Sequence, residues 1–162
     1  METTVICPGS FDPVTLGHID IISRASKMFS YVIVAVLANP SKQNSSFSID
    51  ERIDLLVKST ENLENVEIVS FEGLLAEYAK KRNVTAIVKG LRAVSDFEYE
   101  FQMSLTNKIL NPDLETIFLT AESKYMYLSS SMVKQVASLG GDIKGFVPDC
   151  VLDRIVERLS AK

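Results

Sequence analysis

Short apolar runs rich in valine and isoleucine recur at Thr4–Cys7, Tyr31–Leu37, Val66–Phe71, Ala86–Lys89 and Thr116–Leu119. Between them the apolar positions change period. Ile21, Ala25 and Met28, then Ile49, Ile53, Leu56 and Val57, then Leu75, Tyr78 and Ala79 each fall along one side of a 3.6-residue turn. Ser48-Ile49-Asp50-Glu51 has the S-x-x-E form of a capping box and predicts a helix start at that point. After the fourth run the helical spacing of Phe97, Phe101, Leu105 and Ile109 persists as far as Asn111-Pro112, a long excursion before the fifth run. Two further helices come next. One lies after Ser129 with Val133, Val136 and Ala137, ending at Gly140-Gly141; the other carries Val151, Leu152, Ile155, Val156 and Leu159.

Strands written as unbroken apolar runs are strands covered on both faces, and their alternation with helices predicts a doubly wound, Rossmann-like α/β fold. The expected architecture is a five-stranded parallel sheet with helices on both faces. With 162 residues and no composition shift or low-complexity tract, the chain is expected to be a single domain, residues 1–162, and the serine-rich stretch Ser41 to Ser48 reads as a loop.

In such sheets ligands bind at the carboxyl ends of the strands, so the residues just past each run predict a site. Pro8 to His18, P-G-S-F-D-P-V-T-L-G-H, lies past the first. There Gly9 lets the backbone approach a ligand, Ser10 offers a hydroxyl, and Gly17-His18 opens a helix whose N–H groups favour an anion. The stretch describes a phosphate cradle, yet it is neither G-x-G-x-x-G nor the lysine-bearing P-loop. The later runs end at Asn39-Pro40-Ser41-Lys42, Glu72-Gly73-Leu74-Leu75, Lys89-Gly90-Leu91-Arg92 and Tyr125 to Ser131. Cations, hydroxyls and glycines thus converge on one edge of the sheet.

Charge sharpens this picture. The net charge of −4 argues against a surface that coats nucleic acid, so an anionic ligand must meet a local cluster of positive charge. No leader-like segment opens the sequence and no run of about eighteen apolar residues interrupts it, which points to a cytoplasmic protein that does not enter a membrane. Cys7 and Cys150 form no C-x-x-C or His/Cys cluster, so neither structural zinc nor a disulfide framework is expected.

The candidate residues each have an ordinary alternative. His18 is the sole histidine, and its place at the helix start after the first strand favours a phosphate contact over a structural role. Its protonation is open, since the helix end disfavours the cation and a bound phosphate favours it. Lys42, Lys89 and Arg92 can be solvated surface charges. The spacing of Lys89 and Arg92 around Gly90 favours ligand contact, with the chain turning at the glycine and a guanidinium fork able to grip two phosphate oxygens. Ser129-Ser130-Ser131 can cap a helix, bind phosphate, or do both. Asp96, Glu98 and Glu100 can lie on an exposed helix face or accept from a ribose hydroxyl or an amine. No carboxylate pair has metal-ligand spacing, so no protein-held metal is expected.

With these residues placed, the chain resembles the bacterial phosphopantetheine adenylyltransferases, a family of the nucleotidylyltransferase superfamily. Thr15-Leu16-Gly17-His18 matches the superfamily's [HT]-x-G-H motif, and Leu128-Ser129-Ser130-Ser131 its second signature. The narrower match is P-G-S-F-D-P-V-T-L-G-H-I-D-I-I together with G-L-R-A-V-S-D-F-E-Y-E at Gly90 to Glu100, and the similarity runs from about Val5 to Val147. This resemblance implies transfer of the adenylyl group of ATP to 4′-phosphopantetheine, giving dephospho-coenzyme A and pyrophosphate in coenzyme A biosynthesis. The alternative is transfer to another phosphorylated acceptor, such as nicotinate mononucleotide. By matching motif positions, ATP would be contacted by Ser10, Phe11, His18, Gly90, Leu91, Arg92, Glu100, Tyr125, Met126, Tyr127, Leu128, Ser129, Ser130 and Ser131. The pantetheine substrate would be contacted by Ser10, Lys42, Leu75 and Lys89. The resemblance further implies Mg²⁺ accompanying ATP, a hexameric homo-oligomer and inhibition by coenzyme A. Lys89 stands where the family commonly has arginine, and Ser10 where some members have threonine.

A phosphate acceptor is already a nucleophile, so such a reaction needs positioning and charge neutralisation more than a general base. In these terms His18, the expected transition-state stabiliser, and Ser10 hold the transferring phosphate, Lys42 and Lys89 the attacking one, and Arg92 with Ser130 and Ser131 the leaving group.

Overall fold

In a computed structural model, which describes residues 3–38 and 45–160, five parallel strands form one sheet in the order β3-β2-β1-β4-β5. They are β1 (Thr4–Gly9), β2 (Tyr31–Leu37), β3 (Val66–Phe71), β4 (Ala86–Leu91) and β5 (Glu115–Thr120). The helices are α1 (Leu16–Met28), α2 (Ile49–Ser59), α3 (Leu75–Lys81), α4 (Val94–Leu110), α5 (Ser130–Ser138) and α6 (Leu152–Ser160). The doubly wound architecture expected from the apolar runs is present, with each run within a residue or two of its strand.

Alternation along the strands sends side chains to two cores. Val5 and Cys7 of β1, Val32, Val34 and Val36 of β2, and Ala86 and Val88 of β4 meet α1, α2, α5 and α6 through Ile22, Leu55, Leu56, Val133 and Ile155. Ile6, Ile33, Ala35 and Ile87 point the other way, toward Ala76 and Ala79 of α3. Burial of a side chain such as Ile6 or Leu56, each with no more than a trace of exposed surface, contributes about 1.5–3 kcal/mol. The helix start expected at Ser48 is also observed. Its hydroxyl accepts from the Glu51 N–H at 3.2 Å while Glu51 accepts from the Ser48 N–H at 2.7 Å.

The chain runs outward from β1 to β3 and then returns to lay β4 on the other side of β1, so direction reverses between β1 and β4. Pairing there is recorded at Ile6 opposite Ile87, whereas β1 with β2 and β4 with β5 pair along six residues. This is the switch point at which a doubly wound sheet opens a crevice.

Two glycines at that point make room for neighbouring side chains. Gly90 does not turn the chain, because β4 continues to Leu91. A β-carbon on Gly90 would stand 2.8 Å from Ile21 Cγ1, so its bareness lets α1 lie against β4. Gly90→Ala should therefore cost about 1–3 kcal/mol of stability through overpacking, a loss that urea denaturation would register. Gly9 leaves room for protein as well: a β-carbon there would stand 2.9 Å from the Phe11 ring.

Helix α4 departs from the pattern. Among its residues of described burial Asn107 is the buried one, while Val94, Phe97, Tyr99, Phe101, Met103, Leu105, Ile109 and Leu110 are all exposed. Its helical apolar spacing is real, but the described residues of this chain do not cover it.

Candidate active site

The crevice between β1 and β4 is a cleft of about 430 Å³ lined by Cys7, Gly9, Phe11 and His18 on one side and Lys89, Arg92, Asp96 and Glu100 on another. Tyr125, Leu128, Ser129 and Ser130 complete it from the α5 end.

His18 is fixed by the residue three positions earlier. Thr15 is the N-cap of α1; its hydroxyl accepts from the His18 N–H at 3.3 Å, and the Thr15 N–H donates to His18 Nδ1 at 3.0 Å. The motif T-x-G-H is thus a capping box with histidine in the place usually held by Glu or Gln. Because Nδ1 accepts a backbone N–H, it carries no proton, and the neutral ring holds its proton on Nε2. The Phe11 ring meets the imidazole edge to face with centroids 5.0 Å apart. Burial, reinforced by the positive charges of Arg92 and Lys89, lowers the His18 pKa from the usual 6.5 to about 4. Burial and the neighbouring cations thus favour the uncharged imidazole, an N–H donor, at neutral pH, before any phosphate contact is counted.

That shift has a measurable sign. The folded chain disfavours the imidazolium, so the stability His18 contributes is fully present above pH 6.5. It is lost progressively as pH falls through about 4. Since His18 is the sole histidine, one imidazole resonance in an NMR titration should move near pH 4, with no inflection near 6.5.

The cations of the cleft are already partnered. Lys89 Nζ donates to Glu100 at 3.2 Å. Arg92 grips Asp96 with two prongs, Nε to Oδ2 at 2.9 Å and Nη2 to Oδ1 at 3.2 Å, and its Nη1 donates to the Leu128 carbonyl at 2.7 Å. The fork expected to close on phosphate oxygens is closed on a carboxylate, which aims the guanidinium and leaves its remaining N–H groups for other acceptors. Asp96 and Glu100 each hold a cation in this way, while Glu98 lies on the exposed face.

The serine run divides its labour. Ser129 caps α5, accepting from the Met132 N–H at 3.1 Å, and Ser130 Oγ donates to the Pro13 carbonyl at 2.7 Å, tying α5 to the first loop. Ser131 is exposed and off the cleft wall. Cys7 lines the cleft, but burial pushes its thiol up to about 12, so it is not a thiolate nucleophile.

The structure thus gathers Phe11, His18, Lys89, Gly90, Arg92, Glu100, Tyr125, Leu128, Ser129 and Ser130 around one cleft. Phe11 is there as a buried packing ring. Ser10, Leu91, Met126 and Tyr127 lie beside the wall and do not line it, with the Tyr127 ring set edge-on against Phe146. Leu75 packs in the second core at the β3 side of the sheet. Lys42 lies outside the described residues. Residues that the sequence reading passed over are Thr15, which sets the histidine tautomer, and Tyr99 and Ala121, which line the cleft. The position of Thr15 within the T-L-G-H motif was the available signal.

Comparison with known proteins agrees with this geometry. The profile of the cytidylyltransferase-like family matches residues 6–136. The phosphopantetheine adenylyltransferase of Caldanaerobacter subterraneus subsp. tengcongensis is 61% identical over 153 residues, covering 94% of this chain and 95% of that protein. The phosphopantetheine adenylyltransferase of Clostridium tetani is 53% identical over 157 residues, covering 97% and 98%. Among solved structures, a bifunctional NMN adenylyltransferase/ADP ribose pyrophosphatase from Francisella tularensis superposes with a TM-score of 0.74 at 15% identity. It covers all of this chain and 51% of that longer one, a likeness of fold alone. Sheet order, switch-point cleft, capped histidine and near-full-length identity together place the chain in the cytidylyltransferase-like family and, within it, among the phosphopantetheine adenylyltransferases.

Proposed function

We propose that the chain transfers the adenylyl group of ATP to 4′-phosphopantetheine, yielding dephospho-coenzyme A and pyrophosphate. The observation that carries the reading is a single cleft that brings His18 together with Lys89 and Arg92, in a chain 61% identical to an enzyme named for this reaction.

The phosphate of the acceptor is the nucleophile, so no base is required; the oxygen–phosphorus bond to the acceptor forms as the bond from the α-phosphorus to pyrophosphate breaks. His18 donates to a non-bridging oxygen of the transferring phosphate, where charge is redistributed in the transition state. Being neutral, it supplies a hydrogen bond without tying the phosphate as an ion pair would. Lys89, and in this reading Lys42, receives the attacking phosphate, with Ser10 beside it. Arg92 and the backbone N–H groups at the α5 N-terminus, that of Ser130 among them, receive the departing pyrophosphate.

Among the described residues no cluster of three or more His, Cys, Asp or Glu side chains is placed to hold a metal, and the acids of the cleft wall, Asp96 and Glu100, are each committed to a cation. Mg²⁺ belongs in this reading to the substrate, as the magnesium salt of ATP.

The reading includes a homo-oligomer, taken to be a hexamer, whose support is the exposed apolar length of α4. It also places the reaction in the cytoplasm, with coenzyme A as feedback inhibitor. Static light scattering checks the assembly: six-fold mass agrees, and a monomer at micromolar concentration does not. The reaction itself is tested by pyrophosphate release from ATP and Mg²⁺ over a panel of phosphorylated acceptors. Turnover with 4′-phosphopantetheine at least about a hundredfold above nicotinate mononucleotide is expected, because the acceptor site must reject the wrong ligand through unpaired polar groups. Preference for the mononucleotide, or ATP binding without turnover, would refute it.

A further inference from the structure

Behind the cleft wall lies a polar knot that the reaction as described does not use. Asp12, 7% exposed, accepts from the Phe47 N–H at Oδ1 (2.9 Å) and from the Ser46 N–H at Oδ2 (3.1 Å). Lys134 Nζ of α5 also donates to Oδ2, at 3.1 Å, and Arg52 Nε of α2 stands 3.6 Å from Oδ1. Arg52, 5% exposed, donates in turn to the Phe47 carbonyl at 2.9 Å and to the Ser10 carbonyl at 3.2 Å.

Three separate segments are joined here: the loop after β1, which carries Ser10 and leads to Phe11 on the cleft wall, the segment entering α2 behind that wall, and the first turns of α5, whose Ser130 lines the cleft. Removing a carboxylate and a guanidinium from water is costly, and apolar side chains of similar volume commonly serve stability as well or better. Filling space is thus a poor reason for these residue types. A carboxylate does what an apolar group does not, fixing two successive N–H groups and an ammonium at set angles. The first loop then has two ties to α5, through Asp12 to Lys134 and through Pro13 to Ser130.

We propose that Asp12, seconded by Lys134, is a positioning residue for adenylyl transfer: it fixes the spacing between the acceptor side of the cleft and the α5 side that receives the leaving group. The proposal rests on the function proposed above. Misplacement of reacting groups by about an ångström costs up to about a hundredfold in rate without abolishing binding of either substrate. The loss should therefore fall on kcat and spare ATP affinity.

Asp12→Asn keeps volume and one acceptor oxygen but loses the charge. Its expected signature is a kcat lowered by about 10- to 100-fold with the calorimetric Kd for ATP within about threefold of the parent. Lys134 is 31% exposed along its side chain, so its replacement leaves the core intact and remains informative if Asp12→Asn does not fold. Lys134→Ala should lower kcat by about three- to tenfold, and Lys134→Arg should restore it to within about twofold. Parental kcat in folded Asp12→Asn, or in Lys134→Ala, overturns the proposal. So does a kcat loss no larger than the loss of folded protein. If the parent chain prefers another acceptor, the function reading fails, and the same ratios are taken with that acceptor.

Discussion

Replacing His18 with alanine is expected to lower kcat by about 10²–10³-fold while the ATP dissociation constant changes by no more than a few-fold. The size comes from loss of one preorganised donor to a phosphate on which charge is redistributed in the transition state. The selectivity for kcat comes from a hydrogen bond that strengthens as charge is redistributed, made by an imidazole that burial, Arg92 and Lys89 hold to a pKa of about 4. The same substitution removes the acceptor for the Thr15 N–H at the head of α1, so stability should fall by about 1 kcal/mol. Measuring kcat in the folded variant beside a denaturation curve separates the two effects. A variant with near-parental turnover would remove His18 from the transition state.

Arg92 carries the second large effect. Arg92→Ala should lower kcat/KM for ATP by about a hundredfold, since hydrogen bonds from a charged donor are worth about 1.5–3 kcal/mol and Asp96 is left as an uncompensated anion beside the triphosphate. Arg92→Lys keeps the charge without the fork and should recover about tenfold of that loss. If Asp96 acts by aiming Arg92, then the double variant Arg92→Ala/Asp96→Ala should be more active than Arg92→Ala alone, because the repelling carboxylate is gone. A double variant worse than either single one would show Asp96 contacting substrate independently.

The parts of this site that were legible in the sequence are those governed by local rules. Valine and isoleucine runs marked all five strands, and S-x-x-E marked the start of α2 because the capping box is made within four residues. The strand-end inventory brought His18, Lys89, Arg92 and Ser130 to one cleft because parallel topology puts every such end on the same edge. What local rules do not carry is pairing at a distance. The Arg92 fork looked free because its carboxylate partner, in the first turn of α4, was equally readable as surface, and the Leu128 carbonyl is 36 positions away. Gly90 read as a turn, but its need comes from Ile21 on another element. The spacing of Phe97, Phe101, Leu105 and Ile109 announced a helix without saying that none of the described residues would bury that face. Asp12 sat within the most informative stretch of the sequence, yet its partners at Ser46, Phe47, Arg52 and Lys134 become visible only once the fold is built.

In the proposed reaction two phosphates are brought together directly, with no side chain acting as nucleophile. The most direct measurement is the stereochemical course at the α-phosphorus, using ATP made chiral there by a single sulfur-for-oxygen replacement, with 4′-phosphopantetheine as acceptor. One in-line displacement inverts the centre, so the product should have inverted configuration; net retention would require two displacements through a covalent enzyme intermediate and would contradict it.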